Sequence, residues 1–304
     1  MVNKHQPTWT SSGGRLQFQS SFGESELNWI FIPGGPGLGS EIIAPLTQLL
    51  KTTLPGNIWH FDLPNDGSNL LQDHLACNWS GAILQAVDSL QNVIIVAHST
   101  LAMFVQTLPD LESILHGLVL MGTAPDATWQ KIFASYHLNH IDEFIILAEK
   151  EYLANPNNET LRKLLLAEAK NCFVTDVSLL AGRKLLNNAP INHMADMLYR
   201  DVFNSEQYVA TWIPQNLNTL IISGEKDYIT PLELFLKNPF YQRDNITAKS
   251  ISGAGHYPWM ENPQEVVATF ESFIKIARII SQLPHPKLFR FPTYYYLSTP
   301  GKII

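Results

Sequence analysis

Cysteine is scarce in this 304-residue chain: Cys77 and Cys172 are its two copies, too few for a disulfide-stapled scaffold. They lie far apart, have neither metal-ligand nor redox-motif spacing, and read as buried free thiols. Charge is sparse as well. Charged residues make up 15% of the chain, and 27 acidic against 20 basic side chains leave a formal net charge of -7. A basic face able to displace counterions from phosphates is therefore lacking, which argues against nucleic acid and toward a small-molecule or short peptide partner. Apolar runs are short, and none approaches the roughly 20 residues of a membrane-spanning helix. The opening residues MVNKHQPTWTSSGG also lack the apolar stretch of a secretory signal, so a soluble, cytoplasmic protein is expected. His116, His137, His140 and His193 are scattered without ligand spacing, and no cofactor motif is present, so neither a metal nor a cofactor is expected.

Hydrophobic residues are plentiful, at 45%, and their pattern alternates. Short β-type runs at 14–20, 26–33, 57–62, 93–97 and 116–121 are separated by helical periodicities at about 40–51, 72–90 and 100–108. That rhythm predicts an α/β fold with a mostly parallel central sheet flanked by helices. After Gly122 the β-rhythm stops. From about Thr128 to Trp212 the pattern is helical, punctuated by Asn155-Pro156-Asn157, and reads as an inserted helical cap over 126–213 between core segments 1–125 and 214–282. Strands at 219–223 and 246–251, a helix after Pro231 and a last helix over 263–280, capped by Asn262, complete the core. The aromatic, proline-containing tail 283–304 follows neither period and is expected to pack on the domain as an extended arm or to bind a partner.

Serine-based hydrolysis needs a nucleophile presented without cover, a base within reach and donors for the developing oxyanion. Ser99 stands just beyond the apolar run Val93–Ala97 and before a helical pattern, the strand–turn–helix context of a nucleophile elbow. Such a serine can also simply cap a helix. Asp227 follows the strand Leu220–Ser223 and precedes Thr230-Pro231, with Glu225 as its nearest competitor for the acid role. His256 sits in a glycine-rich loop whose small neighbours leave its imidazole free to reach across the sheet edge as a general base. The order nucleophile, acid, histidine distinguishes this arrangement from other triads. Pro33-Gly34-Gly35-Pro36-Gly37 follows an early strand and offers amides bare of Cβ. The oxyanion donors are assigned to the N–H of Gly35 and of Thr100, with Gly34 the substitute if the loop is shifted by one.

Several segments together carry a family resemblance from about residue 14 to 280. IPGGPGLGSE (32–41) resembles the HGGPG loop of the α/β-hydrolase superfamily, FDLPNDGSN (61–69) its DLPGHGxS turn, and VIIVAHSTLA (93–102) its GxSxGG elbow. SGEKDYITP (223–231) and GAGHYPWMENP (253–263) resemble its acid and histidine loops. Within the superfamily the chain is most similar to proline iminopeptidase-like hydrolases. The resemblance implies the α/β-hydrolase fold and cleavage of a small ester or amide, an N-terminal peptide included, through an acyl-enzyme on Ser99. A carbon–carbon bond hydrolase with the same triad and a catalytically impaired binding protein are the alternatives. Pro33 replaces the family histidine, and Ala97 and Leu101 replace the elbow glycines, so Leu101 is expected to disturb either the turn or access to Ser99. Iminopeptidases hold the substrate amine with acidic side chains, for which Glu143, Glu149 and Glu151 are available, although a solvated helix face explains them equally.

Overall fold

A computed structural model of the chain describes residues 4–35, 37–70, 78–202 and 207–281. Cys77 and the tail 283–304 lie outside them. The described strands are β1 (Thr8–Trp9), β2 (Arg15–Phe22), β3 (Asn28–Ile32), β4 (Gly56–Asp62), β5 (Val93–His98), β6 (Gly117–Met121), β7 (Thr219–Gly224) and β8 (Ile246–Ile251). They form one eight-stranded sheet in the order β1-β2-β4-β3-β5-β6-β7-β8. β1 and β2 pair antiparallel, as do β2 and β4; every other neighbour is parallel. This is the expected α/β-hydrolase architecture. The two-residue β1 is absent from the sequence expectation because a pair of residues carries no readable period.

β3, β5, β6 and β7 are buried along their whole length, as strands covered on both faces must be. The strand period of two sorts their side chains into two cores. Trp29, Phe31, Ile94, Val96, Val119 and Ile222 join one cluster; Ile30, Ile32, Ile95, Ala97, Leu118 and Ile221 join the other. The first is covered by α1 (Ala44–Leu50) and by α11 (Pro263–Ser281), the second by α2 (Trp79–Asp88) and α3 (Ser99–Val105). The helix expected over 40–51 is a 3₁₀ turn at Ser40–Ile42 followed by α1, with Pro45 in the first turn where its missing N–H costs nothing. α3 stops at Val105, short of the expected 108, and Pro109 opens a 3₁₀ turn soon after. The helix expected after Pro231 is the single turn α9 (Glu233–Leu236).

Between β6 and β7 the described residues form five α-helices, α4 (Thr128–Asn139), α5 (Glu143–Ala154), α6 (Asn158–Glu168), α7 (Asp176–Asn188) and α8 (His193–Val202). Capping boxes at Asn157/Thr160 and Thr175/Ser178 start α6 and α7, each satisfying orphan N–H groups of the first turn. The insertion leaves and returns side by side: Ala127 N–H donates to Tyr208 O, and Ala210 N–H to Pro125 O, both at 2.8 Å. It is not a separate body. Tyr152, Leu161, Leu164, Phe173, Leu186 and Ile191 belong to the same buried cluster as Trp29 and Phe31 of the sheet.

Candidate active site

The parallel strands deliver the site, since the loops after β3, β5, β7 and β8 all leave the sheet at its C-terminal edge. Ser99 is the first residue of α3 and sits at φ +55°, a left-handed conformation unusual for a residue with a side chain. That tight turn lifts its hydroxyl off the end of β5. The turn is held from the side by Gly34, where a Cβ would lie 2.8 Å from Ser99 Cβ and 2.4 Å from His98 Nδ1. A side chain at position 34 would push the loop after β3 away from the serine. Leu101, expected to disturb the turn or access to Ser99, is fully buried in the cluster with Ile32, Ala97 and Leu120, and the turn at Ser99 is formed.

Residues 157 apart in sequence meet here, with His256 Nε2 2.9 Å from Ser99 Oγ. On the other side of the ring, His256 Nδ1 is 2.9 Å from Asp227 Oδ2. Asp227 is buried and saturated with donors: Ile229 N–H and Thr230 N–H donate to Oδ1, each at 3.0 Å, and the Thr230 hydroxyl donates to Oδ2 at 3.0 Å. Burial, the largest single influence on this carboxyl, favours its neutral form; the His256 charge and hydrogen bond together with the Thr230 donors outweigh it, so the group is held below its ordinary range. Asp227 is therefore an anion able to fix the Nδ1–H tautomer of His256 and leave Nε2 facing the serine. Glu225, the competitor, is exposed and accepts the Gly253 N–H at 2.7 Å instead.

Two neighbours of the relay escaped the sequence reading. His98, inside the elbow motif itself, is fully buried beside His256, with ring centroids 4.8 Å apart. Burial, then the nearby His256 charge, lowers its pKa to about 3, so it is neutral and its Nε2–H donates to His256 O at 3.0 Å. Gly122, at φ +50° just after β6, completes the enclosure: a Cβ there would come within 3.3 Å of His256 Cε1 and 3.1 Å of His98 Nε2. The only sequence signals were a histidine next to the nucleophile and a glycine ending a strand, and both are commonplace.

The glycine loop is anchored on the opposite side. Gly35 and Gly37 adopt φ +72° and +77°. Gly37 N–H donates to Asp66 Oδ1 at 2.8 Å, and Gly37 O accepts from Asn192 N–H at 2.8 Å. Burial pushes the Asp66 carboxyl well above its ordinary range. Thr100 follows Ser99 in the first turn of α3, so the three residues expected as oxyanion donors, Gly34, Gly35 and Thr100, belong to the two segments that meet at Ser99. Among the described residues, no group of three or more His, Cys, Asp or Glu side chains is placed to hold a metal ion. Cys172 is a free cysteine whose thiol burial pushes up, which removes it from consideration as a nucleophile.

The alpha/beta hydrolase family model matches residues 29–269. The chain belongs to this family. No sequence among the curated proteins matches it. Its fold is similar to the crystal structure of a proline iminopeptidase from Mycobacterium smegmatis, at 14% identity and a TM-score of 0.62, over 91% of this chain and 100% of that one. A proline iminopeptidase-related protein from Thermus thermophilus aligns at 15% identity and a TM-score of 0.65, over 89% and 97% of the two chains. An epoxide hydrolase from Bacillus megaterium aligns at 18% identity and a TM-score of 0.60, over 89% and 100%. Identities this low speak for the fold alone. Among the described residues, no helix is long and apolar enough to cross a membrane.

Proposed function

We propose that this family member is a cytoplasmic serine hydrolase that cleaves small esters through an acyl-enzyme on Ser99. The observation that carries the reading is the continuous Ser99–His256–Asp227 relay, 2.9 Å at each link, mounted on a serine at φ +55°. His256 removes the Ser99 proton as the hydroxyl attacks the carbonyl carbon, and returns it to the leaving alcohol. Asp227 orients the ring and stabilises the imidazolium. The amides of Gly35 and Thr100, or Gly34 in place of Gly35, receive the oxyanion. Water activated by the same imidazole then releases the acid. The helices of 126–213 act as the cap over the bound substrate.

An ester is preferred over an N-terminal peptide because none of the acids weighed for holding an amine is buried. Glu143, Glu149 and Glu151 all lie exposed on α5, and Glu151 is paired with Lys163 at 2.7 Å. The test is activity-based labelling. A fluorophosphonate should modify wild type at Ser99 and leave Ser99→Ala unmodified, and hydrolysis of p-nitrophenyl acetate should fall at least about 10³-fold in that variant. Equal labelling of both proteins would overturn the assignment of the nucleophile. A folded wild type that neither labels nor turns over esters, amides or lactones would identify a binding protein instead.

A further inference from the structure

The insertion is stitched to the glycine loop and to the loops that carry the acid and the histidine. At the glycine loop, Asn192 N–H donates to Gly37 O and Leu38 bridges to Ile191. At the acid loop, Tyr228 stacks on Tyr136 of α4 with ring centroids 4.7 Å apart and planes 9° apart. The histidine loop carries the densest set. His256 N–H donates to Cys172 O at 2.9 Å, and five residues beyond His256, in the short helix α10 (Pro258–Glu261), stands Glu261. One oxygen of its carboxylate, Oε2, accepts the N–H of Gly255 at 2.6 Å. The other, Oε1, accepts Val174 N–H at 2.7 Å, Thr175 N–H at 3.3 Å and the Ser178 hydroxyl at 2.6 Å.

One carboxylate thus holds the residue before the imidazole with one oxygen and the start of α7 with the other. Charge favours the arrangement, since donors to an ionised acceptor bond more strongly than donors to a neutral one, and an anion at a helix N-terminus meets the positive end of its dipole. Space permits it only because position 255 is glycine: a Cβ there would lie 2.7 Å from Cys172 O and 3.2 Å from Glu261 Oε2. We propose that Glu261 is a positioning residue, coupling the seating of α7 to the placement of the His256 imidazole over Ser99. It touches neither substrate nor proton. The proposal rests on the reading of His256 as the general base.

Glu261→Gln keeps the shape but presents an NH₂ to an N–H or O–H donor, so one side of the bridge must let go. With p-nitrophenyl acetate, kcat should fall about 10-fold, as expected for a catalytic group displaced by a fraction of an ångström, while KM stays within about twofold. Ser178→Ala removes a donor from the insertion side alone and should lower kcat in the same direction by less. The second readout is the low-field proton resonance of His256 Nδ1–H, which should shift or broaden in Glu261→Gln. Wild-type turnover with both variants equal to it in kcat and in that resonance would overturn the positioning role and leave the hydrolase reading standing. A wild type inert toward every ester, with a resonance that still moves in Glu261→Gln, would keep the positioning role and remove the hydrolase reading.

Discussion

Phe31 and Phe144 are the same side chain in opposite circumstances. Phe31, in the middle of β3, has no exposed surface, whereas Phe144, near the start of α5, is 79% exposed. The contrast extends to their surroundings. The central strands are buried throughout, while α4 contains no buried residue and the insertion leaves Leu138, Ile141, Leu147, Val177 and Leu180 largely open to solvent. The sheet is held by apolar burial on both faces. The insertion, sharing only part of that core, depends more on helix caps and on polar stitches to the glycine, acid and histidine loops. An interior that must not move thus supports the relay from below, and a more lightly held layer touches it from above.

Three substitutions, measured for stability, probe how differently the sheet and the insertion are held. Phe31→Ala should cost the most, about 3–5 kcal/mol, because the cavity opens where sheet, α1 and α11 share one cluster; a urea midpoint close to wild type would mean that this core repacks freely. Asp227→Asn should have a smaller, pH-dependent effect. The Asp227 carboxyl is held below its ordinary range in the folded chain, so its contribution is present above the unfolded-state carboxylate pKa and lost as pH falls through the folded one. Urea midpoints measured from neutral pH downward should fall for wild type, and that part of the decline should be missing in Asp227→Asn. Val177→Ser should change stability by no more than about 0.5 kcal/mol, since its 81% exposed side chain has little burial to lose. A loss above about 2 kcal/mol would mean that this face of the insertion is covered in solution.

Much of the core was legible because its signals are local. Runs such as Val93–Ala97 and Leu220–Ile222 are apolar at every position, and the helical break at Asn155-Pro156-Asn157 falls between α5 and α6, where Asn157 caps the second helix. That Ser99, Asp227 and His256 would meet was legible for a related reason: each stands near the end of a strand or in a glycine loop, in the chain order that such loops bring together. The direction of Leu101 was not legible because a substitution pattern says nothing of it; α3 turns this side chain into the buried cluster with Ile32 and Ala97. His98, Gly122 and Glu261 were missed because their neighbours come from other parts of the chain. Glu261 meets residues 174–178 only once the insertion has folded back over the histidine loop.

Local pattern set which segments become strands, which become helices, and which residue types stand at the strand ends, because periods of two and of 3.6 are properties of neighbouring residues. The order of strands across the sheet decided the rest. Setting β3, β5, β6, β7 and β8 side by side brought the serine and histidine loops within one hydrogen bond. Only that arrangement, with the insertion folded against it, gave the imidazole both its acid partner and its carboxylate tether, because contacts between distant segments depend on packing that no local pattern encodes.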